Sequence, residues 1–118
     1  MRLFALRGAI TVDRNDAQEI LDATSELMRE ILARNGLVAE QLVSCIFTAT
    51  QDLDAEFPAL AARGLGVPLL CAQEIPVQGS MPRVIRIMLH YHAEDGHAPT
   101  HVYLGGAQAL RADLNSPQ

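Results

Sequence analysis

The spacing of hydrophobic and polar positions along this chain predicts one long helix among several short strands. Residues 2–10 form an apolar run that predicts the first strand. Between 17 and 34 the apolar positions recur three and four residues apart, as they do on one face of a helix. Asp16 and Glu19 have the spacing of a capping box, and Asn35-Gly36 supplies a C-terminal stop. The pattern therefore predicts a helix over residues 17–34 that buries its apolar stripe.

The remainder of the chain predicts four further strands, one or two short helices and polar connections between them. The four strands are expected at residues 43–49, 67–73, 83–92 and 101–104. Pro58 can open a short helix over 58–63, because a proline fits the first helical turn. Gly105-Gly106 interrupts the last strand, and residues 111–118 form a polar tail. These elements predict an α+β fold in one domain, with a mixed sheet of about five strands covered on one face by the long helix.

The strand at 83–92 is apolar on both of its faces. Because side chains alternate along a strand, one face carries Ile85, Ile87, Leu89 and Tyr91. The other face carries Val84, Arg86, Met88 and His90. The single long helix can cover only one of these faces. We therefore expect the second face to be covered by oligomerisation through the sheet.

Composition and charge narrow the class of protein. The 118 residues fit one domain, and 49% of them are hydrophobic, which argues against disorder. The net charge of -5 and the absence of a basic cluster argue against nucleic-acid binding. No apolar stretch reaches the roughly 20 residues of a membrane span, and the apolar N-terminal run is too short for a secretory signal. We expect a cytoplasmic protein in which Cys45 and Cys71 are buried, unbridged thiols.

Arg86 is the residue that most directly indicates chemistry. It stands in the middle of the apolar run 84–89, where an unpaired buried charge would be very costly. An arginine cannot avoid that cost by losing its proton, so something anionic or electron-rich must meet it. Arg7 occupies a similar position in the first apolar strand. Two arginines on strands indicate a pocket for a small polyanion.

The histidines raise the question of a metal. His90 and His92 lie on one strand face and could chelate a metal together. His97 and His101 are four residues apart, but Pro99 between them makes a ligand-bearing helical turn unfavourable. We therefore expect no functional metal.

Several short motifs occur in the order and spacing of one enzyme family. They are residues 7–12, Phe57-Pro58-Ala59 with Ala62-Arg63, Gln73-Glu74, residues 84–87, residues 101–104, Leu110-Arg111 and Asp113-Leu114. In these motifs the chain resembles the monofunctional chorismate mutases of the trimeric α/β-barrel type, over nearly its whole length. The resemblance implies a homotrimer whose sheets pack as a pseudo-α/β barrel, with active sites between adjacent subunits. It also implies the cofactor-free Claisen rearrangement of chorismate to prephenate, on the route to phenylalanine and tyrosine.

The resemblance assigns catalytic and substrate-binding roles to particular residues. It implies that Arg86 contacts the ether oxygen and a neighbouring carboxylate of chorismate. Arg7 corresponds to a carboxylate-binding arginine, and Glu74 to the acceptor of a hydrogen bond from the ring hydroxyl. Tyr103 corresponds to a donor to a substrate carboxylate. These four positions are the centre of the implied site.

Further positions would line the site or close it. Phe57 and Arg63 correspond to residues that the neighbouring subunit contributes, and Cys71 to a lining position near the ring hydroxyl. Leu110 and Arg111 correspond to the start of a mobile C-terminal tail, at about 111–118. The chain departs from the family pattern outside these positions, with Leu60 for a lysine, Leu70 for a threonine, Thr100 for an arginine and Ala112 for a proline.

Each site residue also has a purely structural interpretation. Arg86 could pair with an acidic side chain, Arg7 could extend to solvent, and Glu74 could be a solvated carboxylate at a strand end. Tyr103, Arg63 and Cys71 could likewise be a half-buried tyrosine, a helix-end cation and an inert thiol. Two other functions also remain as hypotheses, a trimeric enamine/imine deaminase and a trimer that binds an aromatic-pathway metabolite without converting it.

Overall fold

The computed structural model describes residues 1–115, and the side chains of residues 1–110. Its strands and α-helix are β1 (Arg2–Thr11), α1 (Ala17–Asn35), β2 (Leu42–Ala49), β3 (Leu69–Gln73), β4 (Val84–Ala93) and β5 (Val102–Leu104). Three 3₁₀ helices accompany them at Ala39–Gln41, Pro58–Leu65 and Gly105–Asn115. The predicted α+β domain with a five-stranded mixed sheet is therefore confirmed.

The long helix begins and ends where the sequence predicts. The Asp16 carboxylate accepts a hydrogen bond from the Glu19 backbone N–H at 3.0 Å, which satisfies one of the unpaired donors of the first turn. The helix ends at Asn35 and is capped by Gly36, whose φ of 61° lies in the left-handed region that glycine adopts without strain. Ile20, Leu27 and Ile31 are fully buried and belong to the main hydrophobic core.

The sheet has the strand order β3-β2-β4-β1-β5. β4 is central and pairs antiparallel with both β1 and β2, whereas β3 runs parallel to β2 and β5 runs parallel to β1. Ile85, Ile87, Leu89 and Tyr91 are buried in the core that also contains the helix residues. Arg86 faces the other side of the sheet and is only half-buried, so the predicted division of β4 into two faces is confirmed.

The C-terminal 3₁₀ helix covers part of the second face. The sequence predicts no element after Gly105-Gly106, whereas the structure has the helix Gly105–Asn115 there. The Gly106 N–H donates to the Thr11 hydroxyl at 2.7 Å and holds the helix against β1. Ala107 then packs with Ala9 and Val84 in a second, small core. The described residues leave the rest of this face uncovered.

Two other elements differ from the sequence prediction by two residues at one end, whereas the remaining predicted boundaries agree to within one residue. β3 begins at Leu69 rather than at residue 67, because Pro68 has no N–H to donate to a ladder. The short helix that Pro58 opens extends to Leu65 and is capped by Gly66, whose φ is 70°.

No helix among residues 1–115 combines the length and the apolar character needed to cross a membrane.

Candidate active site

Arg86 meets its anionic partner within the same chain. The strand register places Arg86 opposite Ala9 of β1 and Thr48 of β2, and 40% of its side chain is exposed. Its Nη1 forms an ion pair with Glu74 Oε1. Glu74 is the first residue after β3, where its N–H donates to the Ala49 carbonyl at 2.9 Å, and only 16% of its side chain is exposed.

The second oxygen of the Glu74 carboxylate has its own partner. The Thr48 hydroxyl donates to Glu74 Oε2 at 2.7 Å. Both carboxylate oxygens are thus bound, one by a cation and one by a hydroxyl. Sequence reasoning missed Thr48, although a polar residue inside the apolar strand 43–49 was a signal that could have drawn attention to it.

Arg7 and Tyr103 border the same concavity as Arg86. Arg7 lies opposite Met88 on β4, and Tyr103 lies opposite Ala9 on β1, so both occupy the Arg86 face of the sheet. The Arg7 backbone N–H donates to His101 Nδ1 at 2.9 Å, which holds this part of β1 against the segment leading into β5. The cavity has a volume of about 330 Å³ and is lined by Arg7, Gly8, Ile46, Thr48, Arg86, Ile87, Met88, Tyr103 and Leu110.

The charges around this cavity suit a small anion. Two arginines, Arg7 and Arg86, line it, and Glu74 neutralises part of the charge of Arg86. The remaining positive charge lies beside apolar side chains of the strands, where the low local polarity strengthens an ionic contact. The predicted convergence of two arginines on strands is therefore present in the structure.

Three further predicted residues lie elsewhere in the chain. Phe57 and Cys71 line a second cavity of about 320 Å³. Cys71 pairs with the fully buried Phe47 in the sheet register and thus points to the face opposite Arg86. Arg63 is exposed on the 3₁₀ helix Pro58–Leu65. Arg111 lies outside the residues whose side chains are described.

The cysteines and histidines of the described chain do not form a reactive or metal-binding cluster. Burial raises the pKa of the Cys45 thiol to about 11, which suppresses the thiolate that a nucleophile requires. His90 Nδ1 lies 3.1 Å from the Ser44 hydroxyl, and His97 Nε2 lies 2.7 Å from the Tyr91 hydroxyl. No group of three or more His, Cys, Asp or Glu side chains within the described part of the chain could hold a metal ion.

Comparisons with known proteins agree on one family. The family model described as chorismate mutase type I matches residues 3–114. The chorismate mutase AroH of Thermus thermophilus is 47% identical over 118 residues, which cover 96% of this chain and 97% of that protein. The chorismate mutase AroH of Bacillus subtilis (strain 168) is 38% identical over 120 residues, covering 98% and 94%. The solved structure of a chorismate mutase from Clostridium thermocellum has a TM-score of 0.85 and 45% identity, covering 90% of this chain and 98% of that one.

Proposed function

The chain belongs to the chorismate mutase type I family, and we propose that the cavity lined by Arg7 and Arg86 carries out that family's reaction. The activity is that of a chorismate mutase, an isomerase that converts chorismate to prephenate in the biosynthesis of aromatic amino acids. The observation that carries the site assignment is the convergence of Arg7, Arg86 and Tyr103 on one cavity of about 330 Å³.

The chemistry of the substrate explains why such a cavity suffices. Chorismate has two carboxylates, an enol-pyruvyl ether and a ring hydroxyl. In the rearrangement the ether C–O bond breaks while a new C–C bond forms within the same molecule, so neither a nucleophile nor a proton donor is required. Catalysis then comes from holding the compact conformer in which the reacting carbons meet. It also comes from stabilising the negative charge that grows on the ether oxygen.

We assign the stabilisation of that charge to Arg86. Its guanidinium carries five N–H donors, of which one at Nη1 is directed at Glu74. The others can reach the ether oxygen and a neighbouring carboxylate. A preorganised donor of this kind contributes a factor of about 10²–10³ to the rate. Arg7 and Tyr103 bind the carboxylates and hold the substrate in the reactive conformation.

Glu74 acts on both the arginine and the substrate in this proposal. Its ion pair orients the Arg86 guanidinium, and its carboxylate accepts a hydrogen bond from the ring hydroxyl of chorismate. A carboxylate offers about four lone-pair sites. It can therefore bind the substrate hydroxyl while it still accepts hydrogen bonds from Arg86 and Thr48.

The site is completed by an adjacent subunit of a homotrimer. Three features support this arrangement: Arg86 lies on an incompletely covered sheet face, Leu70 on the same face is 60% exposed, and Phe57 is 69% exposed. Because Cys71 shares the second cavity with Phe57, we assign both to the half that the neighbouring subunit contributes, together with Arg63. The unbridged cysteines are compatible with a cytoplasmic location.

The first test incubates the purified protein with chorismate and follows substrate loss and prephenate formation by NMR. We expect rapid conversion that Arg86→Ala abolishes, whereas Arg29→Ala, which removes an exposed arginine of α1, retains full turnover. Arg86→Lys should also lower the turnover number strongly, because lysine has a different geometry and fewer donors. Near-normal turnover in Arg86→Lys would refute the role assigned to Arg86.

A second test addresses the shared site. Arg86→Ala and Phe57→Asp should each inactivate the enzyme when expressed alone. Co-expressed chains should regain activity, since a mixed trimer contains sites with an intact Arg86 from one subunit and an intact Phe57 from its neighbour. Mixed oligomers without regained activity, or a monomer in sedimentation measurements, would contradict the trimeric arrangement.

A further inference from the structure

We propose that Thr48 is a positioning residue for the rearrangement, acting on Arg86 through Glu74. This inference rests on the function proposed above, because it assumes that Arg86 stabilises the ether oxygen. It adds a residue that the sequence motifs do not include. The three side chains form a relay in which a hydroxyl orients a carboxylate and the carboxylate orients a guanidinium.

The sheet register brings the three residues together from three neighbouring strands. Thr48 on β2 lies directly opposite Arg86 on β4, so both side chains leave the same face. Glu74 follows the last residue pair of β2 and β3, which joins Ala49 and Gln73. The Thr48 hydroxyl donates to one Glu74 oxygen at 2.7 Å, and the Arg86 guanidinium donates to the other.

Glu74 needs such a partner because it lies at the end of its strand, where an exposed segment begins. It stands just beyond β3, and every residue from 75 to 80 is exposed. Its N–H donates to Ala49, but the carboxylate can still rotate about its terminal torsion, which has a broad preference. Hydrogen bonds at both oxygens remove that freedom. Without the Thr48 hydroxyl, the carboxylate of this largely buried side chain can turn, and the guanidinium bound to it turns with it.

Thr48→Val and Thr48→Ser separate the hydroxyl from the shape of the side chain. Valine keeps the β-branched shape and removes the donor, whereas serine keeps the donor and removes the methyl group. Because hydrogen bonds to charged groups are strong, we expect Thr48→Val to lower kcat about tenfold, with a smaller change in KM. Thr48→Ser should have a kcat within about twofold of that of the parent protein. Both variants should keep the oligomeric state of the parent protein.

Thr24→Val provides the matched control. The Thr24 hydroxyl donates to the Ile20 carbonyl at 2.7 Å inside α1, on the other side of the sheet. This variant makes the same chemical change away from the cavity. It should alter the urea midpoint but not kcat. If Thr48 served only to stabilise the fold, Thr48→Val would behave in the same way, and that result would overturn the proposal.

A double-mutant cycle tests whether Thr48 acts through Glu74. In a Glu74→Gln background, Thr48→Val should lower kcat by less than twofold, because the oriented carboxylate is already absent. A full tenfold decrease in kcat in that background would show that Thr48 does not act through Glu74, and would overturn the proposal. If Arg86→Ala and Glu74→Gln impair turnover but Thr48→Val does not, only the role of Thr48 fails. If Arg86→Ala is fully active, the proposed mechanism itself fails.

Discussion

Replacement of Gly8 by alanine is the sharpest test of how the fold supports the cavity. Gly8 follows Arg7 on β1, pairs with Val102 of β5 and is buried. A Cβ at this position would lie 2.8 Å from Ile31 Cδ1, 3.1 Å from the Val102 carbonyl oxygen and 3.2 Å from Ile87 Cγ2. The Ile31 methyl group can move aside, but the Val102 oxygen belongs to the backbone. The substitution therefore has to displace β5 as well as the helix side chain.

The magnitude follows from the cost of an overpacked core, which is about 1–3 kcal/mol. With a urea m value of about 2 kcal/mol/M, a loss of about 2 kcal/mol lowers the unfolding midpoint by roughly 1 M. β5 also carries Tyr103, which lines the cavity. A displacement of a few tenths of an ångström should raise KM for chorismate several-fold, since catalysis is sensitive to small misplacements of binding groups.

The assay pairs urea unfolding with steady-state kinetics at one protein concentration, because assembly makes apparent stability concentration-dependent. Gly96→Ala is the matched control. Gly96 is exposed, and a Cβ there would meet no heavy atom within 4 Å. The urea midpoint of Gly96→Ala should correspond to a change of less than about 0.5 kcal/mol in the free energy of unfolding. An unchanged midpoint and KM in Gly8→Ala would refute the argument that α1 and β5 close on this glycine.

Three further predictions concern the exposed Arg63, the buried amide of Asn35 and the buried thiol of Cys45. Arg63→Ala should raise KM for chorismate with little change in kcat, because this exposed cation is assigned to substrate binding. Asn35→Ala should lower the free energy of unfolding by about 1–3 kcal/mol, because the Asn35 amide bridges the Thr100 N–H at 2.7 Å and the Thr100 carbonyl at 2.9 Å. Stability should fall as the pH rises from 9 to about 11, since the Cys45 thiol ionises at a lower pH in the unfolded chain than in the folded one.

Each of these predictions has a result that would contradict it. For Arg63→Ala, a large fall in kcat at constant KM would place the residue in the chemical step instead of in binding. For Asn35, urea midpoints of Asn35→Ala that match the parent protein would mean that the bridge to Thr100 is energetically neutral. For Cys45, the variant Cys45→Ala should show a shallower alkaline decline, and an equally steep decline would assign the effect to other groups.

The elements of the fold were largely predictable from local pattern. The helix α1 is specified by apolar positions at helical spacing and by capping residues at its two ends, such as Asp16 and Gly36. These capping residues interact only with residues a few positions away in sequence. The two faces of β4 follow from strict alternation. The 3₁₀ helix Gly105–Asn115 was missed because its docking depends on Thr11, about 95 positions away in sequence.

The residues of the candidate site were predicted unevenly. The unusual positions of Arg86 and Arg7 inside apolar strands were visible directly, and the family resemblance supplied Tyr103 and Leu110, which line one cavity with them. Thr48 carried no motif. Its significance appears only when β2, β3 and β4 are placed side by side, because strand neighbours are chosen by long-range pairing that local periodicity does not encode.

The sequence by itself determined the long helix and the five strands, which side chains share a face, and that Arg86 required an anionic or electron-rich partner. Only the tertiary structure decided that this partner within the chain is Glu74, because the sheet order leaves only β2 between β3 and β4, so that the residue after β3 can reach across Thr48 to Arg86 near the start of β4. It also separated Cys71 from Arg86, since the register turns Cys71 to the opposite face. Local chemistry sets the conformation of each segment, whereas burial of the whole apolar surface selects which segments become neighbours.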